Sequence, residues 1–203
     1  MRILSGRIGL FSAIALVGIL SGVGATFAYR TFVRPATLEI PGPASTVPPG
    51  IFAGDVATPE QLIIPKIGVD ARIKPVGVDA HGDLATPGNA TDVAWYRLGP
   101  RPGAAGVAVI DGHLDTKNVP QAVFYNLDRL VQGDEIEVRA SDGRMMIFEV
   151  TATGRYAYDI PTVSIFTPRS DSPELNLITC AGDWVPEKHI YNERLVVFAR
   201  RVE

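Results

Sequence analysis

"EIEVRASDGRMMIFEVTATG", residues 135–154, carries the pattern that decides the fold. Glu135, Glu137 and Arg139 alternate with Ile136 and Val138, Ser141–Arg144 supply a turn, and an apolar-rich run from Met145 returns the chain. Successive side chains of a strand point to opposite faces, so this alternation predicts a hairpin with one face buried. The same kind of text continues on both sides. "QLIIPKIGV" (61–69) and "ARIKPVGV" (71–78) are short apolar stretches broken by prolines, which suits edge or irregular strands. "DVAWY" (92–96), "GVAVIDGH" (106–113), "LNLITC" (175–180) and "RLVVFARRV" (194–202) read as further strands. Only "VPQAVFYNLDRL" (119–130) spaces its apolar residues Val123, Phe124, Leu127 and Leu130 in a helical manner. At least seven short strands with one helical insertion predict an all-β barrel or sandwich.

The amino-terminal part has a different character. From Ile8 to Tyr29 run twenty-two residues without a charge, enough for a helix to cross a hydrocarbon core of roughly 30 Å. A cleavable signal core is usually only about 7–15 residues long, so residues 1–30 read as an uncleaved membrane anchor. Arg2 and Arg7 before the run balance Arg30 and Arg34 after it, and the positive-inside rule does not orient the helix. Residues 31–57, rich in Pro, Ala, Ser and Gly, read as a semi-rigid stalk, and residues 58–203 as the folded body. The chain has a formal charge of −3. Its first 57 residues hold four arginines against Glu39 and Asp55, so the body carries −5. No basic patch invites nucleic acid or lipid headgroups.

One cysteine, Cys180, occurs in the whole chain, so no internal disulfide is possible and the thiol is either packing or a reagent. It stands at the end of a predicted strand, with Thr179 before it and Gly182 and Asp183 after it. His113 follows the strand 106–111, and Arg194 opens the last strand fourteen residues after the cysteine. If the last two strands are antiparallel neighbours, Cys180 and Arg194 meet at one rim. An ordinary thiol is only a few per cent ionised near neutrality and needs a base or a cation beside it. His113 can take and return a proton, and the fork of Arg194 can hold an oxyanion or a substrate backbone. Asp111, His113 and Asp115 do not make a transition-metal site, because His81 and His189 sit in no ligand spacing.

"DGHLDT" with His113, "NLITC" with Cys180 and "NERLVVFA" with Arg194 together resemble the sortases, membrane-anchored cysteine transpeptidases of Gram-positive bacteria. "IPKIGV" (64–69) and "LDRLVQGDEIEV" (127–138) are also similar to that family. Asn176 departs from the pattern, standing where the family usually has threonine. The short body, the stalk and "TCAG" at 179–182 look most like the actinobacterial class F group. The resemblance implies an eight-stranded β-barrel, catalysis by His113, Cys180 and Arg194, and no cofactor or metal. Thr179 becomes a candidate substrate contact. It also implies cleavage of an LPXTG-like sorting signal between Thr and Gly, with transfer of the acyl group to an amine of a peptidoglycan precursor or a pilin. The body would then lie outside the cell, at the Gram-positive surface. Two rivals are an L,D-transpeptidase-like thiol acyl-transferase, whose His and Cys normally lie close in sequence, and a tethered β-domain that binds a partner and merely packs its cysteine.

Overall fold

The computed structural model of the protein describes residues 56–202, apart from His81 and Thr162. The anchor expected over 1–30 and nearly all of the stalk expected over 31–57 lie outside the described residues. Among those described, no helix is long and apolar enough to cross a membrane.

The strands are β1 (Pro59–Ile64), β2 (Val69–Val76), β3 (Val93–Tyr96), β4 (Val107–Asp111), β5 (Glu135–Ala140), β6 (Met145–Ala157), β7 (Glu174–Val185) and β8 (Ile190–Arg201). They close into a barrel in the order β1-β2-β3-β4-β7-β8-β6-β5. The pairs β2–β3 and β4–β7 are parallel and the rest antiparallel. The predicted hairpin is β5–β6, with Ile136 opposite Phe148 and Val138 opposite Met146. Those four side chains and Val150 are buried in one core with Leu62, Ile64, Ile110, Leu177 and Val197. A one-residue slip would turn this whole set to water, so burial fixes the register.

Closure changes the reading of the first two strands. Their prolines suit edge or irregular strands, and a closed barrel has no edge. The prolines sit where a missing N–H is tolerated: Pro59 opens β1, Pro65 opens a 3-10 turn (Pro65–Ile67) and Pro75 lies one residue from the end of β2.

The helix expected over 119–130 does not form. That segment is a chain of turns ending in a single 3-10 turn, Leu127–Arg129. Its backbone donors are used elsewhere: Ala122 N–H reaches Leu114 O, Val123 N–H reaches Ala90 O and Phe124 N–H reaches His113 O. Three amides bonded to other segments cannot build an i→i−4 ladder. Phe124, Leu127 and Leu130 are still buried, at a spacing of three that suits the tighter turn. The one described α-helix is α1 (Val163–Phe166), in the β6–β7 connection. With Ile160 and Tyr156 it covers a second apolar cluster on the outside of the barrel, where Val107, Val109, Ile178, Val196 and Phe198 are buried.

Candidate active site

Strand alternation sorts β7 into two sets. Leu175, Leu177 and Ala181 belong to the barrel core, whereas Ile178 belongs to the outer cluster, and Cys180 is two residues on from it. On β8, Val196 and Phe198 are in the outer cluster and Arg194 is two residues before Val196. Cys180 and Arg194 are direct partners in the β7–β8 ladder. On β4, Val107, Val109 and Asp111 pair with Glu174, Asn176 and Ile178 of β7. Past β4 the bonding to β7 continues for one residue, Gly112 N–H donating to Ile178 O, and His113 comes next. Cys180 and Arg194 thus sit side by side on the outer face of β7 and β8, and His113 follows the end of β4, the strand on the other side of β7. Cys180 and Arg194 were expected near strand ends. In fact both strands run on, to Val185 and from Ile190, and the expected loop over 181–193 is mostly ladder.

What ends the regular barrel beside Cys180 and Arg194 is a bulge between Ala181 and Trp184. Gly182 takes φ +78° there, and a Cβ on it would strike the Asn192 side-chain oxygen. That oxygen accepts from Asp183 N–H at 2.8 Å and holds the bulge. Gly112 answers a different need. A side chain on it would run into the Phe124 ring, so the turn before His113 has room only for glycine.

Thr179, expected as a substrate contact, is 1 % exposed, and its hydroxyl donates to Gly112 O at 2.7 Å. With Gly112 N–H donating to Ile178 O at 3.1 Å, it clamps the end of β4 to β7. Its place is to hold the His113 segment against the Cys180 strand. Asn176 is also buried, and its Nδ2 donates to Ile165 O at 2.5 Å, tying α1 to β7.

The guanidinium of Arg194 is anchored on its own strand. One terminal nitrogen, Nη1, donates to Glu193 O at 2.9 Å and Tyr191 O at 3.3 Å. His113 Nε2 lies 3.0 Å from Pro87 O. The Tyr191 hydroxyl donates to Asp115 Oδ2 at 2.6 Å, joining the segment after β4 to the start of β8. Beside Cys180 a cavity of about 350 Å³ opens between Asn126, Asp128, Arg129, Arg155 and Gly182.

A family model described as the sortase domain matches residues 62–202. The chain belongs to the sortase family. As a sortase it is a cysteine transpeptidase, and the two rival readings give way. No curated protein matches the chain. Among solved structures it is similar to the lid mutant of sortase A from Corynebacterium diphtheriae, with 23% identity and a TM-score of 0.56 over 72% of this chain and 70% of that one. It is similar to sortase C-1 from Actinomyces oris, at 24% identity and TM-score 0.55 over 71% of each chain. It also resembles a sortase D5 transpeptidase from Clostridium perfringens, at 20% identity and TM-score 0.54 over 72% of this chain and 79% of that one. Likeness at these identities speaks to the fold.

The electrostatics of this sortase are divided. Burial pushes the Cys180 thiol above its ordinary value, the Arg194 charge pulls it down, and Asp111 and Asp115 push it up again. Ionised thiol is therefore the minority form near neutrality, and Arg194 is the cation that favours it. Burial also raises the Asp111 carboxyl to about 6, against the pull of His113, Arg194 and the Gly112 N–H. The sequence drew attention to Asp111 and Asp115 only as poor metal ligands. Tyr191 and Pro87 escaped it, because nothing local marks a tyrosine or a loop carbonyl as a neighbour of the site.

Asp111 gives a stability prediction with a definite sign. Its folded value of about 6 exceeds the ordinary 3.8, so the folded chain binds that proton more tightly than the unfolded one. Its contribution is favourable at low pH, declines as pH rises from about 4 to 6, and is a constant cost above that. Asp111→Asn keeps the side-chain acceptor and removes the charge from this half-buried position. It is expected to stabilise the protein at pH 7.5 by up to about 3 kcal/mol, the equivalent of roughly two pKa units. Thermal melts of both proteins at pH 7.5 and pH 4 check this; a gap that fails to shrink at pH 4 would assign the effect to packing.

Proposed function

We propose that the protein is a membrane-anchored sortase whose nucleophile is Cys180, with His113 as proton carrier and Arg194 as oxyanion or backbone holder. One observation carries the reading: the only cysteine of a cysteine transpeptidase stands directly opposite an arginine on one neighbouring strand, with a histidine just past the end of the other. The thiolate attacks the carbonyl between Thr and Gly of an LPXTG-like sorting signal, and His113 protonates the departing amine. The thioester then passes to an amine of a peptidoglycan precursor or a pilin. The cavity beside Cys180, with Asp128, Arg129 and Arg155 on its wall, supplies room for that amine. Residues 1–30 anchor the chain, 31–57 form the stalk and 58–203 the catalytic body outside the cell. The short body, the stalk and Thr179–Gly182 support the actinobacterial class F group as its subfamily.

The test separates a transferase from a thiol peptidase, which share a nucleophile and differ in what resolves the thioester. Full-length protein is incubated with a sorting-signal peptide, with and without a short glycine peptide or a stem-peptide amine, and the products are weighed by mass spectrometry. The amine is expected to raise turnover and divert product from free acid to amide. Product that stays entirely hydrolysed with several amines at millimolar concentration would make the enzyme a peptidase.

A further inference from the structure

His113 sits between two segments. On one side is β7, to which the preceding Gly112 is bonded at Ile178 and Thr179, and on the other is the β2–β3 connection, residues 77–92. β3 runs antiparallel to β4 with Ala94 opposite Asp111, so the residues just before β3 come alongside the end of β4. There Pro87, buried in an otherwise mostly exposed stretch, presents its carbonyl 3.0 Å from His113 Nε2. A carbonyl oxygen can only accept, so Nε2 must carry the proton in this contact.

We propose that the Pro87 carbonyl is the orienting partner of His113, fixing the neutral imidazole as the Nε2–H tautomer and leaving Nδ1 as the nitrogen that exchanges protons in the reaction. The inference rests on the proposed role of His113 as proton carrier. In a Ser-His-Asp site a buried carboxylate holds the histidine tautomer and orientation. Here a neutral carbonyl does this, and the carboxylates nearby have other partners: Asp115 accepts from Tyr191, and Asp111 accepts from the Gly112 backbone.

The carbonyl is aimed by a braced loop. The Asn89 side-chain oxygen accepts from Thr91 N–H at 3.0 Å, Asp92 N–H at 2.7 Å and the Thr91 hydroxyl at 3.1 Å, while its Nδ2 donates to Asp92 Oδ2 at 2.9 Å. Ala90 O accepts from Val123 N–H, and one residue on Phe124 N–H donates to His113 O. One short stretch thereby pins both the loop that carries Pro87 and the backbone of His113. Asn89 and Pro87 are positioning residues, acting through His113.

The proton path then follows. The thiol gives its proton to Nδ1. The thiolate attacks the scissile carbonyl, a C–S bond forms, the C–N bond breaks, and Nδ1–H protonates the leaving amine nitrogen. In the second half the incoming amine attacks the thioester and gives its proton to Nδ1 as the C–S bond breaks and thiolate departs. Nε2–H stays on Pro87 O throughout.

The chain has three histidines, so full-length protein labelled with 15N-histidine gives a simple spectrum, in which His113→Ala identifies the relevant ring. Long-range 1H–15N correlation at alkaline pH, where the ring is neutral, is expected to show Nε2 as the protonated nitrogen and Nδ1 as the bare one. A neutral ring carrying its proton on Nδ1 would overturn the proposal, whatever the catalytic role of His113. Asn89→Ala is expected to raise the Nδ1–H population and lower kcat about tenfold with KM unchanged, as a small misplacement of a catalytic group does. Asn89→Ser retains an acceptor for the turn and should recover both. A fall in kcat with the tautomer unmoved would also overturn it, because the loop would then act by another route.

Discussion

Replacement of Cys180 by alanine is expected to abolish cleavage of a sorting-signal peptide while the barrel still folds. Loss of an essential nucleophile costs on the order of 10⁴-fold or more in turnover, since what remains is binding and oxyanion stabilisation alone. The effect on stability is small for a physical reason. Cys180 is half-buried on the outer face, away from the core set of β7, and its own thiol is disfavoured there by burial and by two carboxylates when ionised. Removing one sulfur should change stability by less than about 1 kcal/mol. Product analysis by mass spectrometry together with a thermal melt checks both halves. Residual turnover within tenfold of the parent would remove Cys180 from the mechanism. A collapsed melting temperature would instead show that the thiol packs.

The site was legible in the sequence to different depths. Cys180 lies six residues before the turn at Pro186–His189 and Arg194 five after it, so an antiparallel hairpin brings them within one residue of each other, and the extra residue of the bulge between Ala181 and Trp184 sets them directly opposite. His113 is another matter. Its place depends on the parallel pairing of β4 with β7, strands separated by the whole β5–β6 hairpin and more, and no spacing rule announces such a pair. The resemblance to the sortases supplied that link. Strands were readable wherever one face is buried, as in β5 with Ile136 and Val138, because period two leaves a mark. The segment 119–130 misled for the opposite reason. Apolar spacing of three to four is shared by a helix and by a turn that lays Phe124, Leu127 and Leu130 over the barrel mouth, and the choice was made by Leu114, Ala90 and His113 offering carbonyls from elsewhere. The short α1 has too few residues to show any period.

Arg194 should show the second largest effect, and its two duties can be separated. Both hydrogens of Nη1 are directed at backbone carbonyls, of Glu193 and Tyr191, which fixes the plane of the fork and leaves Nε and Nη2 for a substrate oxygen. The same guanidinium is the charge that draws the Cys180 thiol downward. Arg194→Ala removes both and is expected to cost about 2.7–4 kcal/mol in kcat/KM, the usual loss for one oxyanion donor, or roughly 10²–10³-fold. Arg194→Lys keeps the charge and loses the anchored fork. If the charge alone mattered, Lys would restore turnover. If the fork matters, turnover stays low with Lys although the thiol is restored. The thiol is read independently by its alkylation rate at neutral pH, which tracks the ionised fraction. Alkylation is therefore expected to slow in Arg194→Ala, where the thiol climbs further, and to stay near the parent rate in Arg194→Lys, while transpeptidation falls steeply in both. A loss smaller than tenfold in the alanine variant would reduce Arg194 to a strand-edge cation whose ion pairing contributes under about 1 kcal/mol, and the site would shrink to a dyad.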